Sequence, residues 1–192
     1  MIDTAINHIA KNVNQHLMRT FGLNEDVVVV SNILEQDGTV ATHVNNKIVV
    51  SLVNIEEESV LRNRQAPPAR SAGARAVVTS PPIHVNLYLM FASYFSGSNY
   101  QEGLKFISNT IFYLQGQSVF NQHNSPGLDP GIDKLTMEMH NLDITDLSNL
   151  WGVLSGKYLP SVLYKVRMIG VDAGTVRDQV PGVSQPDMKL AQ

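Results

Sequence analysis

The side chains with the most evident chemical capacity stand together at Glu56, Glu57 and Glu58. In an extended chain alternate residues share a face, so Glu56 and Glu58 would project to the same side. Two carboxylates so placed could hold a hard cation or supply a general acid. No second ligand set lies near them in the sequence. The same residues would also serve as a solvated strand end, or as partners for arginines of a neighbouring subunit. The six histidines, His8, His16, His43, His84, His123 and His140, are scattered. None lies four residues from another or in the H-E-x-x-H spacing that puts two ligands on one helix face. Each therefore reads as an isolated surface or satisfied histidine.

Gly152 to Lys157 approaches a phosphate-binding loop but has one residue too few between its glycines. Tyr158 also stands where a Ser or Thr would hold magnesium, so the stretch reads as a helix stop. There is no G-x-S-x-G elbow, no G-x-G-x-x-G loop and no cysteine nucleophile. Arg62, Arg64, Arg70 and Arg75 follow one another without an intervening carboxylate, making the one locally basic segment. They could meet phosphates, but no aromatics are interleaved to stack bases. A docking arm for an acidic protein surface fits better, with an inert flexible loop close behind. Trp151 falls on an apolar stripe with Leu147, Leu150 and Leu154. It reads as core, with a subunit contact as the alternative.

The elements that must position these groups centre on 81–95, PPIHVNLYLMFASYF. Ile83, Val85, Leu87, Leu89, Phe91 and Phe95 share one parity, and Tyr88, Met90, Ala92 and Tyr94 are largely apolar on the other. A strand apolar on both faces is central and covered on both sides. Residues 45–59 make a second such strand, pairing near the first: Ile48, Val50 and Leu52 share one face and Val49, Val53 and Ile55 the other. Val27 to Val30 is a short strand, and Asp37-Gly38 is a hairpin or tight-turn signal. Residues 2–21 form an amphipathic helix through Ile2, Ile6, Ile9, Val13 and Leu17, ended by Gly22. Asn7, Lys11, Asn12, Asn14 and Gln15 make its solvated side. A second helix carries Leu104, Ile107, Ile111 and Leu114, with Ser98 and Gln101 as a capping box and Gly116 at its end. Leu135, Met137 and Met139 alternate with polar residues as a half-buried strand. Thr145 caps a short helix with the Trp151 stripe. Residues 162–171 form a last strand, with Lys165 and Arg167 on one partly wet face. Residues 60–80 read as a long loop or β-ribbon, and 173–192 as a flexible tail.

The order predicts an α+β domain over 1–172 with a mixed, largely antiparallel sheet and two or three packing helices. At 192 residues, 43% hydrophobic, the chain can bury a real core. Charged residues are only 16%, which hints at a surface covered by partners. Fourteen basic and seventeen acidic residues give −3, so no overall basic field invites nucleic acid. The lack of cysteine excludes disulfides and thiolate metal sites and fits a reducing compartment. Neither a signal peptide nor an apolar run long enough to span a membrane is found.

Four stretches carry a resemblance: NKIVVSLVNIEEESVLRN ending at Asn63, PPIHVNLYLMFAS over 81–93, the helix through Leu104-Lys105-Phe106-Ile107-Ser108, and LSNLWGVLSGKYLPSVLYKVRM over 147–168. In this order they resemble the tail-terminator, or cap, proteins of extracellular contractile injection systems. Those are phage-tail-like particles such as the antifeeding prophage and the Photorhabdus virulence cassette. The resemblance covers about residues 2–172. It implies a structural, non-enzymatic protein with a tail-terminator-like fold, no catalytic residues and no cofactor. It implies a homo-hexameric ring closing the baseplate-distal end of the sheath and inner tube, with those two proteins as partners. Assembly would take place in the bacterial cytoplasm, and the subunit would then be part of the particle. Glu56, Glu57, Glu58, Arg62, Arg64, Arg70 and Arg75 are the expected interface residues in that setting. The alternative is a metal- or small-ligand-dependent enzyme using the Glu56–Glu58 end of the sheet.

Overall fold

A computed structural model of the chain describes residues 1–58, 76–79, 84–154, 157–170 and 176–180. Its main sheet has six strands in the order β1-β2-β4-β7-β6-β5. They are β1 (Val28–Val30), β2 (Lys47–Glu57), β4 (His84–Tyr94), β5 (Val119–Asn121), β6 (Ile132–His140) and β7 (Ser161–Gly170). β1 runs parallel to β2, and the other neighbours are antiparallel. The mixed, largely antiparallel α+β architecture expected from the sequence is therefore present. β4 is an inner strand paired on both sides, with Leu87, Leu89, Met90, Phe91 and Ala92 buried. Apolar residues on both parities mark such a strand because neither face meets water.

Two helices cover the first face of the sheet. Helix α1 (Ile2–Phe21) buries Ala5, Ile6, Ile9, Val13 and Leu17 and stops at Gly22, whose φ of 64° suits glycine. Helix α2 (Tyr100–Gly116) packs beside it, and Phe106 meets Phe21 edge-on at 4.9 Å. Phe91 of β4 and Tyr164 of β7 join this core, edge-on at 5.7 Å. The second face is covered more thinly. Short helix α3 (Ile144–Val153) sets Trp151 against Met90, Ala92 and Leu163, while Ala41 and Val44 pack on Val49.

Several local expectations are corrected. Asn14 is buried, not solvated. Its Oδ1 accepts from the backbone N–H of Val27 and Val28, at 2.9 and 3.0 Å, and so ties α1 to the start of β1. The buried side of α2 runs through Gly103, Phe106, Ile107, Thr110 and Leu114, while Leu104 is exposed. The Ser98–Gln101 capping box does not form. A 3-10 turn over Gly97–Asn99 leads into the helix, Asn99 takes the N-cap position, and Ser98 Oγ bonds Asn99 Oδ1. Asp143, not Thr145, caps α3, its carboxylate accepting from the Thr145 and Asp146 N–H groups at 2.8 Å. Asp37-Gly38 does make a tight turn, but one that closes the isolated Leu34–Val40 bridge; β1 and β2, being parallel, are not a hairpin.

The strand β5 carries no sequence signal of its own. Strands β3 (Ala76–Thr79) and β8 (Val176–Val180) form a separate antiparallel pair. The second of these falls in the stretch read as a tail. The Pro81-Pro82 pair, Ile83 and Gly156 lie outside the described residues.

Candidate functional site

A bulge in β2 decides where the carboxylates point. The register against β4 slips between Leu52 and Asn54, leaving Val53 as the extra residue. Upstream, Ile48 and Val50 belong to the helix-covered core. Downstream, Asn54 stands opposite Tyr88, Ile55 opposite Leu87 and Glu56 opposite Asn86. One inserted residue moves every later side chain to the other face. The expected grouping of Ile55 with Val49 and Val53 is thus overturned. Glu56 and Glu58 do share a face, and the bulge makes it the one away from α1 and α2. There the Tyr88 hydroxyl donates to Glu56 Oε2 at 2.9 Å, and Asn86 Nδ2 donates to Glu58 Oε2 at 3.0 Å.

From this corner a polar belt crosses the sheet. Lys165 of β7 pairs with Tyr88 in register and sets its ammonium 5.7 Å from the centre of the Tyr88 ring. His140 of β6 meets the same ring edge-on at 5.3 Å. Glu138 lies opposite Lys165, and Arg167 Nη2 reaches Glu138 Oε2 at 3.0 Å. Burial, then the bond to Glu56, raises the Tyr88 phenol above its usual range, with Lys165 pulling the other way. The Arg167–Glu138 pair is about half exposed on each side, 49% and 48%, and contributes on the order of 1 kcal/mol or less. Such a belt adds little stability. What it offers is a row of charges and donors in fixed order, suited to an electrostatically matched surface.

The chemistry available to the belt is limited. Tyr88 and Asn86 are neutral donors that leave the carboxylates as acceptors. Among the described residues no group of three or more His, Cys, Asp or Glu side chains could hold a metal ion. Arg62, Arg64, Arg70 and Arg75 lie outside the described residues. The histidines do not gather. His8 Nε2 bonds Ser125 Oγ at 2.5 Å, His43 Nε2 bonds Ser31 Oγ at 3.0 Å, and His16 stacks on Tyr113 at 4.7 Å. Burial lowers the His8 pKa from its ordinary value, against an opposing bond from the Gly127 backbone. Trp151 is core, as expected. Gly152 sits within α3, so the degenerate phosphate-loop pattern is not a strand-to-helix loop.

Sequence reasoning singled out the carboxylates, and Lys165 with Arg167 as a wet face. It missed Tyr88 and Glu138 as their partners. Their shared parity with Lys165 carries the signal, but only once β4, β7 and β6 are known to be neighbours.

No described helix is long and apolar enough to cross a membrane. Residues 4–185 match the family described as the Pvc16 N-terminal domain. Among curated proteins no match is found. The fold is similar to that of the sheath/tube terminator of the PVC extracellular contractile injection system in its extended state. That match has a TM-score of 0.54 and 17% identity and covers 96% of this chain and 63% of the other. It is also similar to the tube-terminating cap of the anti-feeding prophage, with a TM-score of 0.52 and 15% identity over 94% of this chain and 60% of that one. The chain thus spans a little under two thirds of the length of either structure.

Proposed function

The chain belongs to the Pvc16 N-terminal domain family, and from that premise we propose that it is a structural terminator subunit of a phage-tail-like contractile injection particle. In this reading six copies form a ring that closes the baseplate-distal end of the sheath and inner tube. The observation that carries it is the family match over 4–185, joined to a fold shared with two terminators along nearly the whole chain. The activity is assembly, with no catalytic residue or cofactor assigned. Residues 1–172 would form the ring-building unit. Either the Arg62–Arg75 loop or the segment 173–192 would dock on the sheath or tube. The test is deletion of the gene in a host that makes the particle. Electron microscopy is expected to show sheaths and tubes of uncontrolled length with open ends, restored by a supplied copy. Particles of normal finished length without this component would overturn the proposal.

A ring subunit offers two different patches to its neighbours. The Glu56–Glu58 corner is proposed as one of them, meeting Arg62 or Arg64 of the next copy, and Arg70 and Arg75 are proposed as further interface residues. Charge-swapping Glu57→Lys is expected to weaken ring assembly and alter its salt dependence, read by light scattering across a salt series. Unchanged assembly and salt sensitivity would reject this pairing and leave the terminator reading standing.

A further inference from the structure

One apolar row of the main sheet is closed in its middle and open at both ends. Leu52 of β2 stands opposite Leu89 of β4, Leu89 opposite Tyr164 of β7, and Tyr164 opposite Met139 of β6. Leu89 and Tyr164 are buried in the helix-covered core, whereas Leu52 is 37% exposed and Met139 43%. The edge strands stop short of these ends. β1 pairs with β2 only over Ile48–Val50, and β5 pairs with β6 only over Lys134–Thr136.

Each open end is widened by its neighbours. At the β2 edge, Ile55 lies opposite the buried Leu87 and is 48% exposed, and Val30, beside Val50, is exposed too. At the β6 edge, Met139 and Ile111 of α2 line one cleft. Leu104 and Phe112 continue that flank of the helix, and Phe112 is 71% exposed. The rims differ in charge. Glu57 follows Ile55 on the same face of β2. On the Leu104–Phe112 flank of α2 the charged residue is Lys105, since Glu102 falls on the side of Phe106 and Tyr113, which meet α1.

Contiguous apolar surface left in water marks a place of association. A patch that met itself would make a closed pair, whereas two unlike patches join copies head to tail. We propose that the β2 edge of one copy docks on the β6–α2 edge of a second copy, so that the Leu52–Met139 row continues from subunit to subunit. The choice of a second copy rests on the terminator reading; the two surfaces are read from the sheet. Burial of Leu52, Ile55, Phe112 and Met139 drives the contact, and the opposite charges at the rims orient it.

The chain has no cysteine, so introduced thiols report the contact without background. Ile55→Cys and Phe112→Cys are made in the full chain and treated with a short bismaleimide, separately and as an equimolar mixture. Covalent dimer from the mixture, and monomer from each variant alone, is the expected result. Adding Met139→Asp to the Phe112→Cys chain is expected to lower the mixed yield about tenfold. A chain carrying both cysteines is expected to give a ladder of linked copies. A ladder ending at six supports the contact and the ring together; one ending elsewhere supports the contact and overturns the six-membered ring. Equal coupling in either variant alone would mark an edge that meets itself and overturn the proposal. So would a mixture that does not couple at any concentration, or coupling that Met139→Asp leaves unchanged. Each of these leaves the terminator reading to the gene deletion.

Discussion

Replacing Asn14 with alanine is expected to remove about 3 kcal/mol of stability, because two buried N–H groups would lose their acceptor together at about 1–3 kcal/mol each. Asn14 Oδ1 receives the backbone N–H of both Val27 and Val28, and its Nδ2 donates to Asp26 Oδ1 at 2.6 Å. Val27 and Val28 are themselves buried. Alanine is the better helix former, but by at most about 0.7 kcal/mol, too little to reverse the sign. For a chain of this size the loss corresponds to a melting temperature lower by roughly 6–12 °C. Asn14→Asp keeps an acceptor for the two valine N–H groups but sets a second carboxylate beside Asp26, so it should fall between wild type and Asn14→Ala. Urea unfolding followed by circular dichroism measures all three. A loss below about 1 kcal/mol for Asn14→Ala would mean that water replaces the amide and that the tie between α1 and β1 is dispensable.

Gly103→Ala should also destabilise, against its helix propensity. A methyl group at Gly103 would fall 2.5 Å from Ser93 Oγ and 2.8 Å from Phe95 Cβ. Both neighbours are buried, and a Cβ moves only with its backbone. Overpacking of this kind costs about 1–3 kcal/mol, occasionally more. The helical gain of Ala over Gly returns about 1 kcal/mol. With the contact so far inside van der Waals range, the clash wins, and a net loss of about 2 kcal/mol is expected. Gly116, the last residue of α2, is the internal control. Nothing lies within 4 Å of a methyl group there, so Gly116→Ala should be neutral or mildly stabilising. Equal effects at the two glycines would show that α2 can lift away from β4 and that their close approach is not a constraint.

These two positions show how far the sequence could be read. Ile6, Ile9, Val13 and Leu17 recur at helical spacing, and the element they form is where periodicity puts it. β4 was legible for the same reason, since a strand covered on both faces must be apolar on both parities. Asn14 was not legible. On a helical wheel it flanks the apolar stripe, and its buried state depends on Val27 and Val28 arriving beside it. The α2 stripe reads as Leu104, Ile107, Ile111 and Leu114 from the sequence, but the helix turns Gly103 toward Ser93 and Phe95 and leaves Leu104 exposed. The cap of α3 reads two residues late from the sequence, at Thr145, because the extended backbone at Asp143 that marks the true cap is set only in the fold.

The candidate site divides in the same way. The three glutamates, the low charge, the missing cysteines and the four stretches of family resemblance are properties of residue type and order, visible without a fold. So is the alternation that marks each strand, because side-chain direction in an extended chain depends only on parity. Strand adjacency and register are not local properties. The bulge after Leu52 sends Glu56 and Glu58 to the Tyr88 face, and pairing among β4, β7 and β6 brings Lys165, Glu138 and Arg167 into one belt. Likewise, only packing of α3 on the sheet sets Trp151 against Met90, Ala92 and Leu163. These meetings join residues far apart in the chain, and their energy arises between elements, so tertiary structure alone decided them.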